Sequence, residues 1–175
     1  MKIAVISYSL TGNNDALAKS IAGEFAAEQI KITEPNPRAT GSIILDMLFN
    51  RIPQVQPAPG KLEGYDLLLF VGPVWMGQVA APLRAYLKHL RTKPCRYAFI
   101  SISGGADGAN PKLAGELKKR TGKEPAALVD LHIADLLNSD AKPSRKDTSA
   151  YRLKEGDIKK LTTAVAKAVR ETAST

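Results

Sequence analysis

Short apolar runs alternate with segments of helical periodicity along the whole chain, and this alternation limits the fold more than any other feature of the sequence. Five runs read as strands: Lys2 to Tyr8, Ile30 to Thr33, Tyr65 to Val71, Tyr97 to Ile102, and Pro125 to Ile133. The first and third are almost unbroken Ile, Val, Leu and Phe, the composition of strands buried on both faces. Between them, apolar residues recur at helical spacing. Asp15 to Gln29 carries Leu17, Ile21 and Phe25; Ser42 to Asn50 carries Ile43, Ile44, Met47 and Leu48; Ala80 to Leu90 carries Leu83, Tyr86, Leu87 and Leu90. A fourth helix is expected from Asn110-Pro111 to Arg120, with proline in the first turn, and a last one from Asp157 to Glu171. Asn13 or Asn14 suits the N-cap of the first helix. Glu34-Pro35-Asn36-Pro37 and the proline-rich Pro53 to Gly60 read as loops, and Asn138 to Lys154 as polar connection. Strands alternating with helices predict an α/β fold, a parallel sheet covered on both faces.

At 175 residues the chain is expected to form a single domain, 1–175. Its longest apolar run is Leu67 to Val74, far short of a membrane span. Ile3 to Ile6 is too short for the core of a signal peptide. A single cysteine, Cys95, leaves no internal disulfide framework and no multi-cysteine metal site. A cytoplasmic protein without a membrane partner is the expectation.

Parallel α/β sheets bind ligands beyond the carboxyl ends of their strands, where the strand order reverses. The loops after the first, third and fourth strands are therefore the candidates. Ser9-Leu10-Thr11-Gly12-Asn13-Asn14 offers two hydroxyls, two amides and a run of backbone N–H groups at a helix N-terminus, which could cradle a phosphate. It lacks the Gly-Lys-Ser/Thr of a Walker A loop, the G-x-G-x-x-G of a dinucleotide fold, and the acidic residues of a receiver domain. A neutral cradle suits a single terminal phosphate monoester. Pro73-Val74-Trp75-Met76-Gly77 places the sole tryptophan at a strand's carboxyl end, where it could stack on a planar ring or simply cover the sheet. Ser103-Gly104-Gly105-Ala106-Asp107-Gly108 could lay backbone N–H groups along the edge of a flat ligand. Each loop alone also reads as an ordinary turn. Their joint placement is the stronger signal.

On these residues the chain resembles the flavodoxin-like family of FMN proteins. Tyr8 to Asn13 resembles that family's phosphate loop; Tyr65-Asp66 to Gly72-Pro73-Val74-Trp75-x-Gly77, with Ala81-Pro82-Leu83, resembles its second signature; Phe99 to Gly105 resembles the third. The resemblance implies a three-layer αβα sandwich around a five-stranded parallel sheet of order 2-1-3-4-5. It implies FMN as cofactor, with its phosphate on Ser9, Leu10, Thr11, Gly12, Asn13 and Asn14. Pro73, Val74, Trp75, Met76 and Gly77 would line one face of the ring, and Ser103, Gly104, Gly105, Ala106, Asp107 and Gly108 the other side. Asn14 stands where the family usually has threonine, and the last loop lacks the aromatic that shields the ring in many electron carriers. Two functions follow from the resemblance. One is an electron shuttle serving a redox partner protein. The other is an NAD(P)H-dependent reductase of a small quinone-like or flavin acceptor.

The charge is lopsided. Residues 1–87 balance seven basic against seven acidic side chains, whereas residues 88–175 carry eighteen against ten, so the whole surplus of +8 lies in the second half. No nucleic-acid-binding signature accompanies it, and aromatic residues are few. It is better read as a surface for acidic partners or anionic substrates. Lys93 and Arg96 could lower the pKa of Cys95, but no phosphatase-type pattern follows it. His89 reads as a cation at a helix C-terminus and His132 as a strand residue.

Overall fold

A computed structural model describes residues 1–35, 40–137 and 143–173. Its centre is β3 (Leu67–Val71), whose five side chains are all buried. Because successive side chains point to opposite faces, this one strand feeds both halves of the core. Leu68 and Phe70 join one cluster, and Leu67, Leu69 and Val71 join the other. β1 (Ile3–Ser7) pairs in parallel with β3 and with β2 (Glu28–Lys31); on the other side β3 pairs with β6 (Arg96–Ser103), and β6 with β7 (Ala127–His132). The resulting order β2-β1-β3-β6-β7 is the 2-1-3-4-5 arrangement in the order of the sheet strands.

Helices cover both faces. α1 (Asn13–Glu24) and α6 (Glu155–Ala173) bury Leu17, Ala18, Ile21, Leu161, Val165 and Val169 against Val5, Leu69 and Ile100. α3 (Ala81–Thr92) and α4 (Leu113–Thr121) bury Leu83, Tyr86, Leu87, Leu90, Leu113 and Leu117 against Ala4, Phe70 and Phe99. Each large side chain so removed from water contributes about 2 kcal/mol before conformational entropy is set against it. α2 (Thr40–Leu48) lies beside α3, held by Arg84, whose guanidinium donates to the carbonyl oxygens of Asp46 and Arg51 at 2.9 and 3.2 Å.

Several expectations need correcting. The first helix stops at Glu24 rather than Gln29: Ala26 turns left-handed (φ 47°), Ala27 N–H closes on the Ala22 carbonyl, and Glu28 and Gln29 belong to β2. Alanine and glutamine carry no periodic marker, so the helical pattern runs past its true end. Neither Asn13 nor Asn14 caps α1; Gly12 does, at φ 94°, without a side-chain cap. Pro111 precedes its helix, which begins at Leu113. The loop after β3 contains an antiparallel hairpin, β4 (Val74–Trp75) and β5 (Gln78–Val79). The stretch read as polar connection contains α5 (Arg145–Ala150), closed by a capping box between Ser144 and Asp147. Asn36-Pro37 and residues 138–142 lie outside the described residues. Among the described residues no helix is long and apolar enough to cross a membrane.

Candidate functional site

The three loops singled out above follow β1, β3 and β6, neighbouring strands whose carboxyl ends share one edge of the sheet. They meet. A cavity of about 160 Å³ is lined by Leu10, Thr11 and Asn14 from the first loop, Pro73 to Trp75 from the second, and Ser103 and Gly104 from the third. A second cavity of about 490 Å³ borders it, between Met76-Gly77 and the run Ser103 to Asn110. Val74, Ser103, Gly104 and Thr148 line both.

In the first loop the left-handed Gly12 reverses the chain into α1, a conformation that costs other residues about 1–2 kcal/mol. Its N–H donates to Ser9 Oγ at 3.0 Å. The first-turn N–H groups of any α-helix lack intrahelical partners, so this turn presents donors and the positive end of the helix dipole toward the cavity edge. The side-chain amides are employed elsewhere. Asn13 donates to the Tyr151 carbonyl (3.0 Å) and accepts from Leu153 N–H (3.1 Å). Asn14 donates to the Ile102 carbonyl (2.9 Å) and accepts from Ile102 N–H (3.1 Å). Both asparagines are buried. Their side-chain amides are therefore committed within the fold, and only the main chain of these two residues remains open to a ligand.

In the second loop Met76 (φ 50°) and Gly77 (φ 75°) form the two-residue turn with both residues left-handed that suits a tight hairpin. Met76 is 82% exposed at its tip. Trp75 is half-buried and meets Tyr8 edge to face, with ring centroids 6.0 Å apart. It both packs on the sheet end and lines the cavity. Gly72 serves packing: a Cβ there would lie 2.4 Å from Leu83 Cδ1.

The third loop is set by close approaches. A Cβ on Gly104 would lie 2.9 Å from Thr148 Oγ1, and one on the left-handed Gly105 would lie 2.3 Å from His132 Cβ. Asp130 of β7 is its anchor. It accepts from Ser101 Oγ (3.2 Å) and from the Asn110 backbone and amide (3.2 and 2.9 Å), and it meets His132 Nε2 at 3.2 Å. Asp107 pairs with Arg145 of α5 at 2.9 Å.

Asp130, His132, Arg145, Thr148 and Ser149 are thus parts of the site that sequence reasoning missed or read otherwise. The Ser144-x-x-Asp147 capping pattern was the available signal for α5. Its hydrogen bonds to Ser144 hold the Asp147 carboxyl below its ordinary pKa. Cys95 lies away from these loops. Burial pushes its thiol up, and Sγ donates to the Tyr65 carbonyl at 3.2 Å, so the neighbouring cations do not activate it. Among the described residues no group of three His, Cys, Asp or Glu is placed to hold a metal.

The first loop is uncharged and opens at a helix N-terminus, and glycines shape the loops around it. It fits a phosphate monoester joined to a flat ring. No family model and no curated protein matches the sequence. Solved structures do match in fold. The flavoprotein of Lactobacillus acidophilus, solved in complex with FMN, superposes with a TM-score of 0.60 at 20% identity, over 74% of this chain and 92% of its own. A candidate flavoprotein from Bacteroides eggerthii gives 0.66 at 15% identity, over 94% and 98%. Another from Bacteroides uniformis gives 0.64 at 15%, over 85% and 95%. With the strand order above, these likenesses establish that the chain has the flavodoxin-like fold.

Proposed function

We propose that the chain is an FMN-binding redox protein that carries electrons on a non-covalent flavin. The observation that carries this reading is the convergence of three glycine-shaped loops on one cavity edge, with the uncharged first loop and its helix N-terminus at one end and Trp75 with the hairpin at the other. That the Lactobacillus acidophilus protein of the same fold was solved with FMN supports the choice of ligand. Bound FMN would supply one-electron and hydride chemistry. The chain's own tasks are then to hold the phosphate, through the first-turn N–H groups and the Ser9 and Thr11 hydroxyls, and to position the ring between the hairpin and the Ser103 to Gly108 loop.

A second reading is an NAD(P)H-dependent reductase of a small quinone-like or flavin acceptor. It is favoured by the larger cavity, which no aromatic side chain of the third loop covers. Loading the protein with FMN and mixing it rapidly with NADH or NADPH distinguishes the two. Loss of flavin colour with pyridine nucleotide alone, at a rate matching turnover with a quinone, selects the reductase. A flavin reduced only by a partner protein selects the shuttle. A chain that takes up no FMN contradicts both.

A further inference from the structure

A cavity of about 510 Å³ lies on the other side of the hairpin from the candidate flavin site, between α2, α3 and α4. Its walls carry Arg84, Lys88 and Arg91 from α3 and Lys119 and Arg120 from α4, against one carboxylate, Glu116. The spacing of 84, 88 and 91 places three cations in a single stripe along α3. Glu116 is taken by Arg120 at 2.5 Å. Among the described residues, the side chains of Lys88, Arg91 and Lys119 have neither a carboxylate nor a hydrogen-bond partner.

The groove is built rather than incidental. Arg84 is fully buried at its base, donating through Nε to the Val79 carbonyl (3.2 Å) and through its terminal nitrogens to main-chain oxygens of Asp46 and Arg51 and to Gln78 Oε1 (3.1 Å). Those bonds fasten α2, the following loop and the hairpin to α3. Arg120 is held from the other wall by Asn50 Oδ1 at 2.7 Å. Met47 and Ile52 supply apolar lining. Like charges gathered along one groove repel one another, and an anion with several charges relieves that repulsion.

We propose that this groove binds a small polyanion with an apolar part, of the nucleoside diphosphate type. The phosphates would take the three uncommitted cations and the apolar part would lie on Met47 and Ile52. The volume is that of a small-molecule site, and its concavity disfavours a flat lipid surface. The proposal does not depend on the flavin reading, although Gln78, which lines the groove, is the ladder partner of Trp75 across the hairpin.

Calorimetric titration of the full chain at low salt, with ADP, adenosine and pyrophosphate as probes, tests it. We expect one ADP per chain, bound at least tenfold more tightly than adenosine or pyrophosphate. Lys88→Gln with Arg91→Gln, both at exposed positions, should weaken ADP at least tenfold without altering the circular dichroism or the FMN titration. Lys119→Gln alone should weaken it by a smaller factor. Four outcomes would overturn the proposal: no ADP binding, binding that these variants leave unchanged, ADP displaced by saturating FMN, or a Glu- and Leu-rich peptide that binds where ADP does not. The last would make the groove a protein-docking surface.

Discussion

The side-chain amide of Asn14 closes a two-bond ring with the main chain of Ile102, 88 positions away, giving to its carbonyl at 2.9 Å and taking from its N–H at 3.1 Å. The first turn of α1 is thereby pinned to the end of β6, which fixes the spacing between the first and third loops.

Asn14→Ala would leave two buried main-chain groups unpaired, at about 1–3 kcal/mol each. Urea unfolding should show a loss of about 2–6 kcal/mol, together with weaker FMN binding. Asn14→Thr should fall between the two, since one hydroxyl cannot reproduce both bonds.

Gly105 and Gly12 are both left-handed, yet they should respond differently to alanine. At Gly12 a Cβ meets nothing within 4 Å, so only backbone strain of about 1–2 kcal/mol applies. At Gly105 the Cβ would also lie 2.3 Å from His132 Cβ, adding an overpacking cost of about 1–3 kcal/mol. Thermal unfolding should rank Gly105→Ala as the more damaging variant, and the His132 ring signals should shift only in that one.

Alkaline stability rests on tyrosines. Tyr65 is pushed up to about 12, first by its hydrogen bond to Glu28, and Tyr86 to about 12 by burial. The folded state holds these protons more tightly than the unfolded chain, whose tyrosines titrate near 10. The stabilisation is therefore complete below about pH 10 and is lost as pH rises through 12. Phenolate absorbance should show these two groups ionising only above pH 11 or with unfolding. Tyr86→Phe should flatten the fall in stability between pH 10 and 12.

The raised pKa of Cys95 makes it a poor nucleophile. Iodoacetamide at neutral pH should label the folded chain at least about tenfold more slowly than the urea-unfolded chain. Cys95→Ser should bind FMN as the parent does.

The legible parts of this fold are those where one physical signal dominates. Leu67 to Val71 is a continuous apolar run, and only a strand buried on both faces explains it. The loops of the site were placed by topology, since parallel strands present their carboxyl ends together. The hairpin was not legible, because its strands are two residues each and its turn opens with methionine in a conformation that usually marks glycine. The role of Asn13 and Asn14 was hidden for a different reason. Local preference makes asparagine a cap, whereas these two side chains bond to Tyr151, Leu153 and Ile102, partners that only the tertiary fold brings near. Asp130 stayed hidden in the same way: its partners Ser101 and Asn110 are 29 and 20 positions away.

Whether the loops after β1, β3 and β6 hold FMN by its phosphate is tested most directly by a fluorescence titration of the purified chain with FMN and with riboflavin. Saturable quenching is expected at one FMN per chain, with riboflavin bound weaker by about tenfold or more, the worth of one charge-assisted hydrogen bond. No binding, or equal affinity for FMN and riboflavin, would contradict that hold on the phosphate.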